Sequence, residues 1–207
     1  MSPVERLKRD AALLEVTLSD EGAAQLLALL DELERWNRTY NLTAVTGREA
    51  MITHHLLDSL SIHADLAGTR IADVGTGAGF PGLPLAIVNP TRHWTLIDSS
   101  GKKTRFVSHA ARTLGLANVT VVQARAGTLT PDEPFDTVTA RAVAPVAQLL
   151  EEVAPLCGPA TRVLAMKGQW PEQELRELPP AWRLAASRRI AVPGLDAARC
   201  VLCLQLA

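Results

Sequence analysis

The ten residues 73–82, DVGTGAGFPG, hold four glycines between an apolar run ending at Ala72 and a second one over residues 83–88. Glycine lets the backbone turn through conformations closed to other residues and approach a ligand with no side chain in the way. A strand entering such a turn and a helix leaving it, its N-terminus facing whatever the turn holds, make a unit of an α/β nucleotide-binding fold. The dinucleotide fingerprint fits poorly. Counted from Gly75 through Gly77, the third glycine falls on Phe80; counted from Gly77 through Gly79 and Gly82, the spacing returns but starts late after the strand and encloses Pro81. Asp73, at the strand end, weighs against a pyrophosphate, because a carboxylate there adds like-charge repulsion in a partly buried site.

A cationic ligand reverses that argument. S-adenosyl-L-methionine carries an ammonium and a sulfonium and no phosphate, so Asp73 beside it is favourable; the bland alternative for this residue is a loop-capping carboxylate. Asp98, closing the second expected strand about 20 residues after the loop, suits the acid that holds two ribose hydroxyls. NAD has a ribose too, so Asp98 does not separate the two ligands.

The rest of the chain agrees with an α/β fold. Apolar residues recur at helical spacing over residues 13–37, with Ser19 and Asp20 as cap candidates, and a second helix is expected over 48–67, ended by Gly68. From residue 70 strands and helices alternate. Strands are expected at 70–75, 93–98, 118–124, 135–142, 161–168, 182–192 and 199–206, with helices at 83–89, 102–114, 146–154 and 171–178. This predicts a mostly parallel sheet with helices on both faces and a closing antiparallel hairpin. The division expected is an N-terminal helical extension, 1–67, and a ligand-binding domain, 68–207.

With 47% hydrophobic and 21% charged residues and a net charge of −1, the 207-residue chain is expected to be globular and soluble. Its first residues, MSPVERLKRDAALLEV, lack the apolar core of a signal peptide, and no apolar run is long enough for a membrane, so a cytoplasmic address is expected. Cys200 and Cys203, three apart in the alternating run CVLCLQL, point to opposite strand faces, and neither a metal site nor a disulfide framework is expected. Charge is unevenly spread: residues 1–34 hold eight acids and three bases, whereas 99–131 hold no acid and include Lys102, Lys103, Arg105, Arg112 and Arg125. That basic stretch is either a solvated helix face or a surface for nucleic-acid phosphates.

Six ordered segments resemble one family: WNRTYNLTAV (36–45), HLLDSL (55–60), DVGTGAGFPG, LIDSSGKK (96–103), FDTVTARAVAP (135–145) and LAMKG (164–168). Over nearly its full length the chain is similar to the bacterial glucose-inhibited division protein B family, the 16S ribosomal RNA guanine-N7 methyltransferases. The resemblance implies a Rossmann-like class I methyltransferase fold with a seven-stranded, mostly parallel sheet. It further implies S-adenosyl-L-methionine as donor, and one guanine of the small-subunit RNA, near the decoding region, as target. It places the cofactor on Gly75 and Phe80 of the loop, on the backbone at Ala126 and Gly127, and on Arg141; Thr76, Gly77 and Gly79 of the same loop, with Asp98 and Ser99, complete the expected cofactor set. The family often has Glu where this chain has Gly127; a backbone amide can address an adenine edge whatever the side chain, so the change is expected to be tolerated.

Guanine N7 carries a lone pair and no proton, so attack on a sulfonium methyl needs no general base. Catalysis then rests on proximity and orientation, with Arg141 positioning at the junction of cofactor and base. Lys102, Lys103, Arg105, Arg125 and Lys167 are the expected RNA contacts, to naked 16S RNA or to the small subunit, and the protein is expected to act as a monomer. Trp36 and Tyr40, one helical turn apart, fit core packing better than RNA contact, and Asn41 stands beside them. Adjacent histidines on a helix point about 100° apart, so only one of His54 and His55 can face a given site. Asp58, one turn from His54, is expected to pair with it; His63 completes the set, and zinc is not expected. Three alternatives stay open at this stage: a methyltransferase for another RNA or a small molecule, a NAD-dependent oxidoreductase, and a non-catalytic RNA-binding protein with a relic cofactor loop.

Overall fold

The structure, a computed structural model, describes residues 2–141 and 144–207. Seven strands form one sheet in the order β3-β2-β1-β4-β5-β7-β6. β1 (Arg70–Val74), β2 (His93–Asp98), β3 (Val119–Gln123), β4 (Thr137–Arg141) and β5 (Arg162–Lys167) run parallel. β7 (Arg199–Leu206) runs antiparallel between β5 and β6 (Trp182–Ile190). The alternation in the sequence therefore corresponds to the strands observed, including the closing hairpin. Ala142, within the stretch expected to form the fourth strand, lies outside the described residues.

The central strands are buried on both sides because both faces are covered. On β1, Ile71 to Val74 are all buried, and on β4 Thr137 to Ala140 are. One face carries α5 (Gly82–Val88) and α6 (Gly101–Thr113) together with the N-terminal helices; the other carries α7 (Val146–Val153), and a short α8 (Glu172–Arg176) follows β5. Between β3 and β4 the chain makes only a 3-10 turn, Ala126–Thr128, before an irregular segment. No helix among the described residues is long and apolar enough to cross a membrane.

The N-terminal part contains α1 (Pro3–Ala12), α2 (Asp20–Tyr40), α3 (Arg48–Met51), a π-helical stretch Ile52–Leu57 and α4 (Asp58–Leu60). Two expectations need correction. The helical spacing expected from residue 13 is preceded by a helix over Pro3–Ala12. Its signal is a capping box, Ser2 and Glu5 exchanging side-chain and backbone hydrogen bonds with Pro3 at the first helical position. Residues 13–18 instead turn the chain, with Glu15 at φ 61°, and the helix restarts where Ser19 Oγ accepts from the Gly22 N–H. The expected helix over 48–67 ends at Leu60, and its middle is wound as a π-helix, a rare geometry frequent at functional sites.

Leu26, Leu30 and Leu33 of α2, with Leu56 and Leu60, share one core with Ile71, Leu85, Leu96 and Phe106. Each fully buried leucine contributes about 1.5–3 kcal/mol, so the N-terminal helices are held by the same apolar core that covers the sheet. Beside β1 the strand order reverses, since β1 leads to β2 on one side while β4 flanks it on the other; the crevice opens there, at the strand carboxyl ends.

Candidate functional site

The glycine loop after β1 is built mainly by backbone. Thr76 N–H donates to Ile97 O on β2, and the N–H groups of Gly79 and Phe80 both donate to Thr76 O. Gly75, Gly77 and Gly79 all have positive φ, as the turn requires. Gly77 has open space where a side chain would start, the nearest atom to a Cβ there being Gly75 O at 3.9 Å. Gly79 does not line the cavity: a Cβ there would lie 2.4 Å from Leu83 Cδ1, so this glycine serves close packing of loop on helix.

Asp73 also differs from expectation. It is fully buried and absent from the cavity wall: Oδ2 accepts from the Gly82 N–H at 2.9 Å and Oδ1 from Thr139 Oγ1 at 2.9 Å. Pro81, which precedes α5, supplies no side-chain cap, and the Asp73 carboxylate from the neighbouring strand takes that place. Burial pushes the carboxyl up to about 6, against the pull of its hydrogen bonds and of Arg141. The bland alternative, a carboxylate bracing the loop, is what the geometry supports.

A cavity of about 530 Å³ opens at the carboxyl ends of β1, β2 and β4. It is lined by Gly75, Thr76, Gly77, Phe80, Asp98, Ser99, Ala126 and Arg141 among the expected cofactor residues. Asp98 Oδ2 accepts from the Gly77 N–H at 2.9 Å and Oδ1 from the Ser100 N–H at 2.8 Å. Each carboxylate oxygen has a second lone pair for a ligand hydroxyl. Gly127 lies off this wall, in an adjoining groove with Arg125, Gln148 and Glu151. Its Cβ position faces the backbone of α7, with Glu152 O at 3.6 Å, and Ala126 alone of the pair reaches the cavity.

A further part of the wall comes from the N-terminal region, from the loop after α2 and the π-helical stretch. His55, on the π-helical stretch, stacks on Phe80 with ring centroids 4.6 Å apart and an interplanar angle of 17°, and the Arg141 guanidinium lies 5.7 Å from the Phe80 ring centroid. His55 Nε2 meets Thr43 Oγ1 at 3.0 Å, while Thr43 is fixed through its backbone to the Asn37 side chain. Burial, then the positive Arg141, lowers the His55 imidazole to about 4, so it is neutral near neutral pH. His63 is half-buried away from this wall and lowered by burial. The expected Asp58–His54 pair does not form: Asp58 accepts from Arg141 Nη1 at 3.0 Å and from Arg199 Nε at 2.9 Å, because the π turn and tertiary packing bring those arginines to it. Leu42, Thr43, His55 and Glu152 also line the cavity, none of them expected there from the sequence.

The basic residues separate into three groups. Lys103 and Arg125 line the cavity, Lys103 with its Nζ 3.9 Å from Asp98. Lys102 and Arg105 lie outside it on α6, at its half-buried and exposed positions respectively. Lys167, the fifth expected RNA contact, donates to Ala144 O and to Glu174, each at 2.8 Å. Trp36 packs as expected, its ring 5.2 Å from Tyr40, 5.7 Å from Phe106 and 5.0 Å from His109.

The family described as GidB, rRNA small subunit methyltransferase G, matches residues 23–202. The ribosomal RNA small subunit methyltransferase G of Saccharophagus degradans is 46% identical over 202 residues, covering 98% of this chain and 91% of that one. The protein of the same name from Marinobacter nauticus is 43% identical over 197 residues, covering 95% and 92%. Among solved structures, magnesium protoporphyrin IX methyltransferase from Synechocystis, with bound S-adenosylmethionine, has a TM-score of 0.59 at 16% identity, covering 91% of this chain and 98% of that one. This last likeness speaks to the fold, a Rossmann-like class I methyltransferase fold.

Proposed function

The chain belongs to the rRNA small subunit methyltransferase G family, and on that premise we propose that it transfers a methyl group from S-adenosylmethionine to N7 of a guanine in 16S ribosomal RNA. The family's enzymes are S-adenosylmethionine-dependent ribosomal RNA methyltransferases; the atom and the direct, in-line attack are the proposal. The observation that carries the cofactor reading is Asp98 at the end of β2, its oxygens aimed by the Gly77 and Ser100 N–H groups beside an open, side-chain-free Gly77. A carboxylate on the wall fits a ribose and the absent Cβ at Gly77 a close approach of the ligand, while the family selects S-adenosylmethionine over a dinucleotide. When bound, the donor supplies an electrophilic methyl on a cationic sulfur.

The chain's own residues would hold and screen that reaction. Asp98 would accept from ribose hydroxyls, and Phe80 and Ala126 would enclose the cofactor. Arg141 would meet the junction of donor and base. His55, lowered to about 4, is a weak base near neutrality, which supports transfer to a nitrogen with no proton to lose. Lys102, Lys103, Arg105 and Arg125 would face RNA phosphates, in a substrate whose target base leaves its stack. Asp73 is assigned to the loop rather than to the ligand.

The test is a target guanine replaced by 7-deazaguanine. Methyl transfer is expected to vanish while RNA affinity is nearly retained, because the Watson–Crick edge is unchanged. Transfer to the deaza RNA would overturn N7 as acceptor. With normal RNA, the single-turnover rate at saturation is expected to stay flat across mildly acidic to mildly alkaline pH, and a steep rise near neutrality would show a required base.

A further inference from the structure

Asp58 joins three segments far apart in the sequence. It is 2% exposed, at the end of the π-helical stretch, with one oxygen on Arg141 from β4 and the other on Arg199 from the start of β7. Arg141 makes its second hydrogen bond, to His54 O at 2.9 Å, from the same Nη1 that meets Asp58. Among the described residues, both hydrogen bonds of Arg141 thus leave from Nη1, and Arg141 lines the cavity. A guanidinium has five N–H donors in a fixed plane, so Nη2 and Nε are left for a ligand.

An arginine facing a carboxylate prefers the two-bond fork, which is stronger and would turn a second nitrogen of Arg141 toward Asp58. Arg199 stands in the way. Its Nε holds Oδ1 at 2.9 Å and its Nη1 donates to Ala198 O at 2.8 Å, so its plane is fixed from two sides. Each carboxylate oxygen can accept twice, but a fork would bring a second Arg141 nitrogen onto the Oδ1 that already holds Arg199 Nε and crowd two guanidinium cations at one atom, so Arg141 stays on Oδ2. We propose that Arg199 is a positioning residue: by occupying one oxygen of the buried Asp58, it keeps Arg141 from closing a fork on that carboxylate and so keeps a guanidinium edge turned to the cavity. Two arginines on one carboxylate also leave the cluster net positive, which preserves the positive character of Arg141. The inference rests on the reading of Arg141 as a residue that meets the cofactor or the target base.

The experiment compares Arg199→Gln, Arg199→Lys, Arg141→Lys, Asp58→Asn and the double variant Asp58→Asn with Arg199→Gln, each in the full chain. Three quantities are measured: the single-turnover transfer rate on a 16S RNA fragment at saturation, affinity for S-adenosylhomocysteine, and the thermal midpoint. Arg199→Gln is expected to lower the rate by roughly tenfold to a hundredfold, the scale for a misplaced catalytic-site group, with product affinity nearly unchanged. Arg199→Lys restores part of the rate, because a cation still occupies Oδ1. Since Arg199 acts through Asp58, the double variant is no slower than Asp58→Asn alone. If Asp58→Asn is too unstable to assay, partial recovery in Arg199→Lys and full retention of product affinity carry the test. A loss in Arg141→Lys without one in a folded Arg199→Gln overturns the relay alone, as do losses that multiply in the double variant. No loss in either overturns the reading of Arg141 with it.

Discussion

Two turns at the same rim use glycine for different reasons. In the loop after β1, a Cβ on Gly82 would lie 2.3 Å from Leu96 Cδ2 and 2.7 Å from Asp73 Oδ2, and one on Gly79 would collide with Leu83. In the turn after β3, Gly127 has no positive φ, and a Cβ there would find Glu152 O at an ordinary 3.6 Å. The first loop is packed against the sheet and needs its glycines to exist. The second leans on the backbone of α7 at an ordinary contact distance, where the lack of a side chain is tolerated rather than imposed. A glycine is thus informative only together with what surrounds its missing Cβ.

The comparison is broken most forcefully at Gly82. Gly82→Ala is expected to destabilise the protein by about 3 kcal/mol through overpacking against Leu96 and Asp73, seen as a lowered thermal midpoint; an unchanged midpoint would show that the loop has slack. Asp98→Ala comes next. It removes the acceptor of the Gly77 and Ser100 N–H groups, and cofactor affinity measured by calorimetry should fall by roughly 1.5–3 kcal/mol, the scale of a charge-assisted hydrogen bond, with the fold retained. Equal affinity would take Asp98 out of the site.

Asp73→Asn is milder, because an amide can still accept from Gly82 and meet Thr139. Its signature is in pH. The native carboxyl holds its proton up to about 6, whereas in the unfolded chain it is lost near the ordinary 3.8. Between those values the folded state binds more protons, so the contribution of this group is full below the lower value and is lost as pH rises to the upper one. The variant, unable to ionise, should lack that decline in denaturant titrations at pH 4 and pH 7; cofactor affinity should change little. A large loss of affinity would return Asp73 to the ligand. Smallest is Gly127→Ala, expected to stabilise by about 0.4–1 kcal/mol through a stiffer unfolded chain while leaving cofactor affinity intact. Weakened binding would mean that the second turn, like the first, has no room.

Much of this was legible in the chain. The loop, the strands on either side of it and Asp98 follow from glycine spacing and from apolar runs, which local backbone and burial rules govern. Phe80 and Ala126 on the cavity wall were legible only through the family resemblance. Side-chain direction was not legible. Asp73 is an acid at a strand end either way, and only the position of the Gly82 N–H and Thr139 decides that it faces the loop. His55 could not be placed from its neighbours, because the π-helical winding of residues 52–57 changes which side chains share a face. Lys167, expected at RNA phosphates, is paired with Glu174, a residue from the following helix.

By itself the sequence determined the layered α/β architecture, the glycine turn after the first strand and the family. The architecture and the turn depend on residues near one another in the chain, where hydrophobic period and glycine content leave few alternatives, and the family on six ordered segments along it. The tertiary structure alone decided that residues 58, 141 and 199 meet at one buried carboxylate, that Thr43 and His55 form a wall of the cavity, and that Glu152 reaches it from α7. Contacts of that kind arise when separate segments are packed into one core, and the free energy that selects them comes from burying the whole set together rather than from any local pattern.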